Sequence, residues 1–283
     1  MKLITTRAVK FAYVFFTTAI LILQPNITAS EIHIFPKPSV PKKCSSFKVE
    51  RNGELTVIKK FISDGDRVFD VGANIGDWSV AVLKSHADIT ITAFEPIPKV
   101  YQQLRNNLAK WNHVIFENVA LSNKTGTSSF NYYPKHSELS GIARRPILDK
   151  LLHALPEKIT VKTQTLDEYC ASKSIQHIDF LKIDTEGEEV SILNGAKSLI
   201  ENHAISKIQF EYGGCFKDSK HTLKEACELL SQNGYVIFEI YPKGLAYIDR
   251  WSERLEDYKY TNFIAILESA LQGYSPMIMN SSS

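Results

Sequence analysis

The stretch RVFDVGANIGDWS, residues 67–79, decides the fold class of this chain. Residues 67–71 are predicted to form a buried strand, and an amphipathic helix is predicted to start at Trp78. Gly72 and Gly76 lie in the turn between them, where glycine lets the backbone turn sharply and approach a ligand closely. A strand, a glycine loop and a helix in this order indicate the first unit of a parallel α/β sheet.

The rest of the chain repeats this alternation of strand and helix patterns. Further strands are predicted at residues 89–94, 114–117, 177–183, 206–212, 235–240 and 261–267. Between them, helical spacing places Val100, Leu104 and Leu108 on one face, and Thr222 with Glu225 forms a capping-box pattern before another helix. We therefore predict an α/β fold with a mostly parallel sheet and helices on both of its faces.

Composition excludes several classes of protein. The 283 residues include 33 basic and 31 acidic side chains, and 44% of the residues are hydrophobic, which fits a globular domain. Without an excess of basic residues, no nucleic-acid partner is predicted. The four cysteines, Cys44, Cys170, Cys215 and Cys227, form no C-x-x-C pair, which argues against a zinc site.

The N-terminal residues differ from the rest of the chain. Residues 1–30 contain three basic residues and no acid, and residues 11–23 are apolar, which predicts a signal peptide or an N-terminal membrane anchor. A buried helix is the alternative. Residues 31–50, with three prolines, are predicted to be a spacer, residues 51–270 the folded domain and residues 271–283 a flexible tail. The anchor would leave the domain in the cytosol, and export would place it in the secretory pathway or outside the cell.

Glu95 indicates a nucleoside cofactor. It stands nineteen residues after Gly76, at the end of the second predicted strand, where a carboxylate can accept both hydroxyls of a ribose. A dinucleotide site expects glycine where Asn74 stands, and Asp77 at the helix start would repel a pyrophosphate. S-adenosylmethionine carries no phosphate, and Asp70 and Asp77 suit its cationic groups. Helix capping explains Asp77 equally well.

Six motifs together resemble the FkbM-type methyltransferases, which are S-adenosylmethionine-dependent enzymes with the class I methyltransferase fold, a Rossmann-like α/β fold. These motifs are VFDVGANIGDWS (68–79), AFEPIP (93–98), ENVALSN (117–123), TLDEYC (165–170), IDFLKIDTEGEE (178–189) and IQFEYG (208–213). The resemblance implies a seven-stranded sheet of order 3-2-1-4-5-7-6, with residues 261–267 as the antiparallel strand. The cofactor-binding residues that we predict from the loop chemistry and the resemblance are Asp70, Gly72, Asn74, Gly76, Glu95, Asn118 and Val119.

The acceptor side is predicted at the end of the fourth strand, in KIDTEGEE, residues 182–189. Asp184 is expected to face the sulfonium, and a hydroxyl acceptor needs a base to take its proton. Asp184 is the first candidate for that base and Glu186 the second, whereas Glu188 and Glu189 are expected to stabilise the next helix. No histidine at ligand spacing supports a metal, so none is predicted.

Residues 132–158 form a long insertion that is predicted to act as a lid or binding surface. It supplies His136 as an alternative base, and also Ser140. The pair Arg144 and Arg145 could receive an anionic acceptor or simply be solvated. Glu211 and Tyr212 are further candidates for the acceptor pocket.

The leading hypothesis is a methyltransferase that acts on a hydroxyl group of a glycan, a lipid or a small natural product. One alternative is an NAD-dependent oxidoreductase, against which Asn74 and Asp77 argue. The other is a methyltransferase-like domain that binds ligands without catalysis.

Overall fold

The computed structural model describes residues 33–35, for the backbone, and residues 48–271. The predictions for residues 1–30 and for the tail after residue 271 lie outside the described residues. Within the described part of the chain, no helix is long and apolar enough to cross a membrane.

The described strands, in chain order, are β1 (His33–Phe35), β2 (Arg67–Val71), β3 (Thr90–Phe94), β4 (Val114–Glu117), β5 (Ala120–Leu121), β6 (Gly126–Tyr132), β7 (Glu157–Gln164), β8 (Phe180–Ile183), β9 (Lys207–Tyr212), β10 (Tyr235–Tyr241), β11 (Gly244–Ile248) and β12 (Thr261–Leu267). The described helices are α1 (Val49–Asn52), α2 (Glu54–Phe61), α3 (Asp77–Ser85), α4 (Pro98–Leu108), α5 (Pro146–Leu152), α6 (Leu166–Ser172), α7 (Glu189–Gly195), α8 (Lys197–Glu201), α9 (Gly214–Ser219) and α10 (Leu223–Gln232). All seven predicted strands are present, with small differences at their ends.

The main sheet has the order β1-β11-β10-β12-β9-β8-β2-β3-β4. Its stretch from β4 to β10 reproduces the predicted order 3-2-1-4-5-7-6, and β12 pairs antiparallel with both β9 and β10. The prediction of seven strands is corrected to nine among the described residues. The difference arises because β11 forms a hairpin with β10, and β1 adds to β11 in parallel.

Strand β1 lies within the segment that was predicted to be a spacer. Residues 33–35 pair with residues 244–246 at the edge of the sheet rather than serving only as a linker. The segment IHIF has the β-branched and aromatic residues that favour a strand, and the prolines begin only at Pro36. Residues 36–47 of the spacer lie outside the described residues.

Helices pack on both faces of the main sheet, as predicted. Alternate residues of a strand point to opposite faces, and in β2 Val68 joins one apolar cluster while Phe69 and Val71 join the other. Val100, Leu104 and Leu108 of α4 are buried, and the capping box of Thr222 and Glu225 opens α10. The helix predicted along residues 190–200 is instead two helices, α7 and α8, that meet at Ala196.

A second, three-stranded sheet was not predicted. It has the order β5-β7-β6, and the predicted insertion is largely the connection between its antiparallel strands β6 and β7. The connection contains a 3₁₀ turn at Ser137–Leu139 and the short helix α5. Residues 133–156, between β6 and β7, are called the lid below.

Candidate functional site

The glycine loop packs directly against the end of β8. Gly72 follows β2 with φ = 79°, and a Cβ at this position would lie 1.9 Å from the carbonyl oxygen of Asp184. Only glycine therefore allows these two chain segments to approach so closely. Two residues later, Asn74 also has a positive φ, 48°, which turns the loop toward the end of β3.

Glu95 closes that side of the loop. Its carboxylate accepts hydrogen bonds from the backbone N–H groups of Asn74, at 3.0 Å, and Ile97, at 2.8 Å. The residue is only 4% exposed, and this burial raises the pKa of Glu95 to about 7, although both hydrogen bonds favour the ionised form. The position at the end of β3 and the two backbone contacts hold the carboxyl group in one orientation.

A buried lysine lies beneath the site. The Lys182 ammonium is 3.3 Å from a carboxylate oxygen of Asp70 and 3.2 Å from one of Asp184. Asp70 and Lys182 are partners in the β2–β8 register, and Asp70 also accepts a hydrogen bond from Ser79. Since Asp70 is fully buried and already paired, its position supports a structural role, and its predicted contact with the cofactor stays a prediction.

Asp184 and Glu211 form a hydrogen-bonded carboxyl pair whose pKa values are shifted in opposite directions. Burial works against ionisation of Asp184, but the Lys182 charge and a hydrogen bond from Glu211 hold the pKa of Asp184 below its usual range. Burial, followed by the Asp184 charge, raises the pKa of Glu211 well above its usual value. Of the two groups, Glu211 therefore holds a proton more readily, and it donates the hydrogen bond to Asp184.

The loop after β8 is held by a buried glutamate. Glu189 is fully buried, and its carboxylate accepts the backbone N–H groups of Thr185, at 2.7 Å, and Gly187, at 2.9 Å. Between these two amides Glu186 has a positive φ of 57°. Glu189 thus orders the loop that carries Glu186, in addition to standing in the first turn of α7, where it was expected to act.

Glu186 is joined to the lid. Its carboxylate forms an ion pair with Arg145, whose guanidinium also lies 3.6 Å from Asp218. Burial raises the pKa of Glu186 to about 8, against the opposing effect of Arg145, and the charge of Asp184 adds to the rise. Arg145 is therefore neither solvated nor free to receive an anionic acceptor as it stands, whereas the Arg144 side chain is 58% exposed and pairs with Asp149.

These elements surround an open cavity at the carboxyl ends of β2, β3 and β8. One wall comes from the loop after β2 and the end of β3, and the opposite wall from the loop after β8. The lid covers it through Ser137, Glu138, Ser140 and Ile142. Ser137 donates a hydrogen bond of 2.9 Å to the Asn74 side chain, which joins the lid to the glycine loop.

Six of the nine predicted site residues line this cavity: Gly72, Asn74, Glu95, Val119, Asp184 and Glu186. Asp70, Gly76 and Asn118 are not part of its lining. Gly76 accommodates α4, because a Cβ there would lie 2.9 Å from the Leu104 side chain, and Asn118 donates hydrogen bonds to the carbonyl groups of Glu95 and Pro96. The functional roles of all nine residues stay predictions.

The remaining candidates are distributed differently. Ser140 lines the cavity, whereas His136 is 46% exposed, pairs with Glu138 and is not part of the lining. Glu211 reaches the site only through Asp184, and Tyr212 is fully buried, with its hydroxyl bonded to Glu256. The exposed Asp77 makes no side-chain cap to α3, in whose first turn it stands.

The predictions from sequence did not include Lys182, the contacts of Glu189 with the loop or the pairing of Arg145. A lysine in the middle of the otherwise apolar strand FLKI, beside Asp70 in the neighbouring strand, was a signal for a buried ion pair. The pairing of Arg145 with Glu186 had no such signal, because 41 residues separate the two in the chain.

The strand order and the cavity at the carboxyl ends of β2, β3 and β8 define the class I methyltransferase fold. Residues 70–237, more than half of the chain, match the family model of the methyltransferase FkbM domain. The chain belongs to this family. Membership confirms the predicted family and fold class, and also S-adenosylmethionine as the cofactor.

Three relatives show how far the likeness extends. The chain is 32% identical to the 31-O-demethyl-FK506 methyltransferase FkbM of Streptomyces tacrolimicus, over 47% of this chain and 60% of that protein. It is 24% identical to the 2-O-methyltransferase NoeI of Sinorhizobium fredii, over 61% and 71% of the two chains. It is 27% identical to the hexuronic acid methyltransferase AglP of Haloferax volcanii, over 62% and 69%.

Proposed function

We propose that this protein transfers the methyl group of S-adenosylmethionine to a hydroxyl oxygen of a sugar or natural-product acceptor. The observation that carries the proposal is the set of ionisable side chains that line the cavity. Its ionisable lining residues are all carboxylic acids, namely Glu95, Glu138, Asp184, Glu186 and Glu188, and no lysine or arginine side chain of the described residues joins them. Such a wall offers no cation to a pyrophosphate, and the ionised Asp184 attracts a sulfonium or an ammonium group.

The residues present fit this cofactor. Glu95 can accept two ribose hydroxyls at the end of β3, and Val119 supplies an apolar surface for the adenine ring. Gly72 and Asp184 both line the cavity, so the methionine part would be held over the junction of the glycine loop with the loop after β8. When bound, the cofactor supplies an activated methyl carbon, so the chain has only to bind, orient and deprotonate the acceptor.

Two carboxyl groups divide this task in the proposed mechanism. Asp184 is ionised beside Lys182 and contributes negative charge that stabilises the sulfonium. Glu186, with a pKa of about 8, is the better proton acceptor, because its basicity lies close to neutral pH. Glu186 would take the hydroxyl proton while the oxygen attacks the methyl carbon, which reverses the order in which we ranked the two residues from sequence.

The acceptor class rests on the relatives. The names of two of them specify transfer to oxygen, and a third acts on a hexuronic acid. The matched region spans 60% of the first relative, the 31-O-demethyl-FK506 methyltransferase FkbM. The activity of that whole protein is therefore only a proposal for this chain. The mixed polar and apolar wall of the cavity, with Ser137 and Ser140 beside Ile142, supports a hydroxylated acceptor.

Calorimetry with S-adenosylhomocysteine and with NAD tests the proposal. We expect S-adenosylhomocysteine to bind and NAD not to, and Glu95→Ala to weaken that binding at least tenfold. Glu157→Ala, which removes an exposed glutamate of β7, is the control and should bind normally. Binding of NAD instead would overturn the proposal, and binding without transfer of labelled methyl groups to any sugar or natural-product acceptor would favour a non-catalytic domain.

We also propose, from sequence alone, that residues 1–30 export or anchor the protein. Their basic start and apolar run support this. Membrane fractionation and N-terminal sequencing of the full chain test it, since a soluble, uncleaved protein would contradict it.

A further inference from the structure

Helix α5 and the residues after it expose three large apolar side chains, which are called the apolar stripe below. Ile147 is 70% exposed, and Leu151 and Leu155 are each 72% exposed. Ile147 and Leu151 are four residues apart and lie on one face of the helix. The opposite face carries the buried Asp149, which accepts a hydrogen bond from the Tyr133 hydroxyl, so the fold packs this helix through its other side.

The stripe is unusual within the described residues. Five large hydrophobic side chains of the described residues are more than 40% exposed, and three of them lie within residues 147–155. The other two, Ile115 on β4 and Tyr247 on β11, are isolated on separate strands at 47% and 41% exposure. A cluster of exposed aliphatic groups normally marks an interaction surface, whereas isolated ones are ordinary.

Basic residues flank the stripe. Residues 144–158 contain four basic and two acidic side chains, which gives a net charge of +2. Arg144 is paired with Asp149 and Arg145 with Glu186, so the charges that remain beside the stripe are the exposed Lys150 and Lys158 against the exposed Glu157. Lysine stems can lie along an apolar surface while their charged ends stay in water.

We propose that α5 and the residues after it form a docking surface for an anionic lipid bilayer. Exposed aliphatic side chains flanked by lysines are the chemistry of elements that lie in a membrane interface, where the apolar groups enter the headgroup region and the lysines contact anionic lipids. Because α5 begins next to Arg145, which contacts the cavity residue Glu186, docking places the lid side of the cavity against the bilayer. The surface is independent of the proposed reaction.

A fluorophore on the lid tests this proposal in the full chain. Leu151→Cys, in a Cys44→Ser background, is labelled with the polarity-sensitive dye NBD, since Cys170, Cys215 and Cys227 are buried. With vesicles of phosphatidylcholine and phosphatidylglycerol we expect a blue shift and quenching by brominated lipid. Both effects should weaken in high salt and on vesicles of phosphatidylcholine alone. Because the readout is local, it does not depend on how residues 1–30 behave.

The matched control is Tyr247→Cys, an exposed site on β11, whose dye should stay in water under the same conditions. A second variant, Ile147→Ser with Leu155→Ser, should reduce the blue shift at position 151 at least threefold. A dye that stays in water on vesicle-bound protein would overturn the proposal. So would a dye already buried without vesicles in a sample that sediments as a dimer, because a second copy would then cover the stripe.

Discussion

Arg145 and Glu186 form an ion pair that joins the lid to the loop after β8, on either side of the cavity. Both side chains are about 15% exposed, so the pair is largely shielded from water. Ser137 and Asn74 make a second connection between the lid and the opposite wall. The lid is therefore attached to both walls of the site, and its removal or opening requires both contacts to break.

Arg145→Ala should loosen the lid. The change leaves Glu186 shielded from water without its partner, so we expect a loss of about 2–3 kcal/mol in unfolding free energy and a higher pKa for Glu186. Arg250→Ala removes an exposed arginine that is not part of the cavity lining and should cost less than about 1 kcal/mol. Urea unfolding of both variants measures the two losses in unfolding free energy. Equal losses would contradict the prediction, because the Arg145–Glu186 pair would then contribute no more than an exposed arginine.

The rate of methyl transfer should depend on the ionisation of Glu186. Since the base must be deprotonated and burial raises its pKa to about 8, we expect kcat/KM to rise about tenfold per pH unit below pH 8 and to level off above it. Glu186→Gln should lower kcat by about 10²–10⁴-fold while S-adenosylhomocysteine still binds. Glu138→Gln, which alters another carboxyl group of the cavity, is the control and should keep the pH profile.

Stability should fall as the pH rises from about 4.5 to 7. Burial raises the pKa of Glu95 and of Glu189 from 4.5 to about 7, so in this window the folded state holds protons that the unfolded chain has lost. Each group then destabilises the folded protein by about 3 kcal/mol across the window. Glu95→Gln should remove the part of this pH dependence of stability that Glu95 contributes. Denaturant titrations at pH 5 and 7.5 decide this, and greater stability at the higher pH would contradict it.

Gly72→Ala should damage the fold more than a comparable glycine substitution. The new Cβ would meet the Asp184 carbonyl oxygen at 1.9 Å, and its φ is unfavourable for alanine, so we expect a loss of more than about 3 kcal/mol. Gly65→Ala has a similar φ of 91° but no atom within 4 Å of the new Cβ, and it should cost about 1–2 kcal/mol. Thermal unfolding of the two variants separates the close contact from backbone strain.

Local patterns predicted the main sheet because its strands are short apolar runs that each end at a recognisable turn. The glycine loop and Glu95 were identifiable for the same reason, since each lies next to the strand that positions it. The second sheet was missed although β7, EKITVKTQ, has alternating β-branched residues. The roles of Lys182, Glu211 and Arg145 depend on contacts between distant parts of the chain, which periodicity does not encode.

The position of Glu189 has a consequence for the cost of binding. Its buried carboxylate fixes two amides of the loop that presents Glu186, and neither contact involves a ligand. The acceptor side of the site is therefore preorganised: the entropy of ordering this loop is lost during folding rather than when the acceptor arrives. Binding energy from the acceptor is then left to align its hydroxyl group with the methyl carbon.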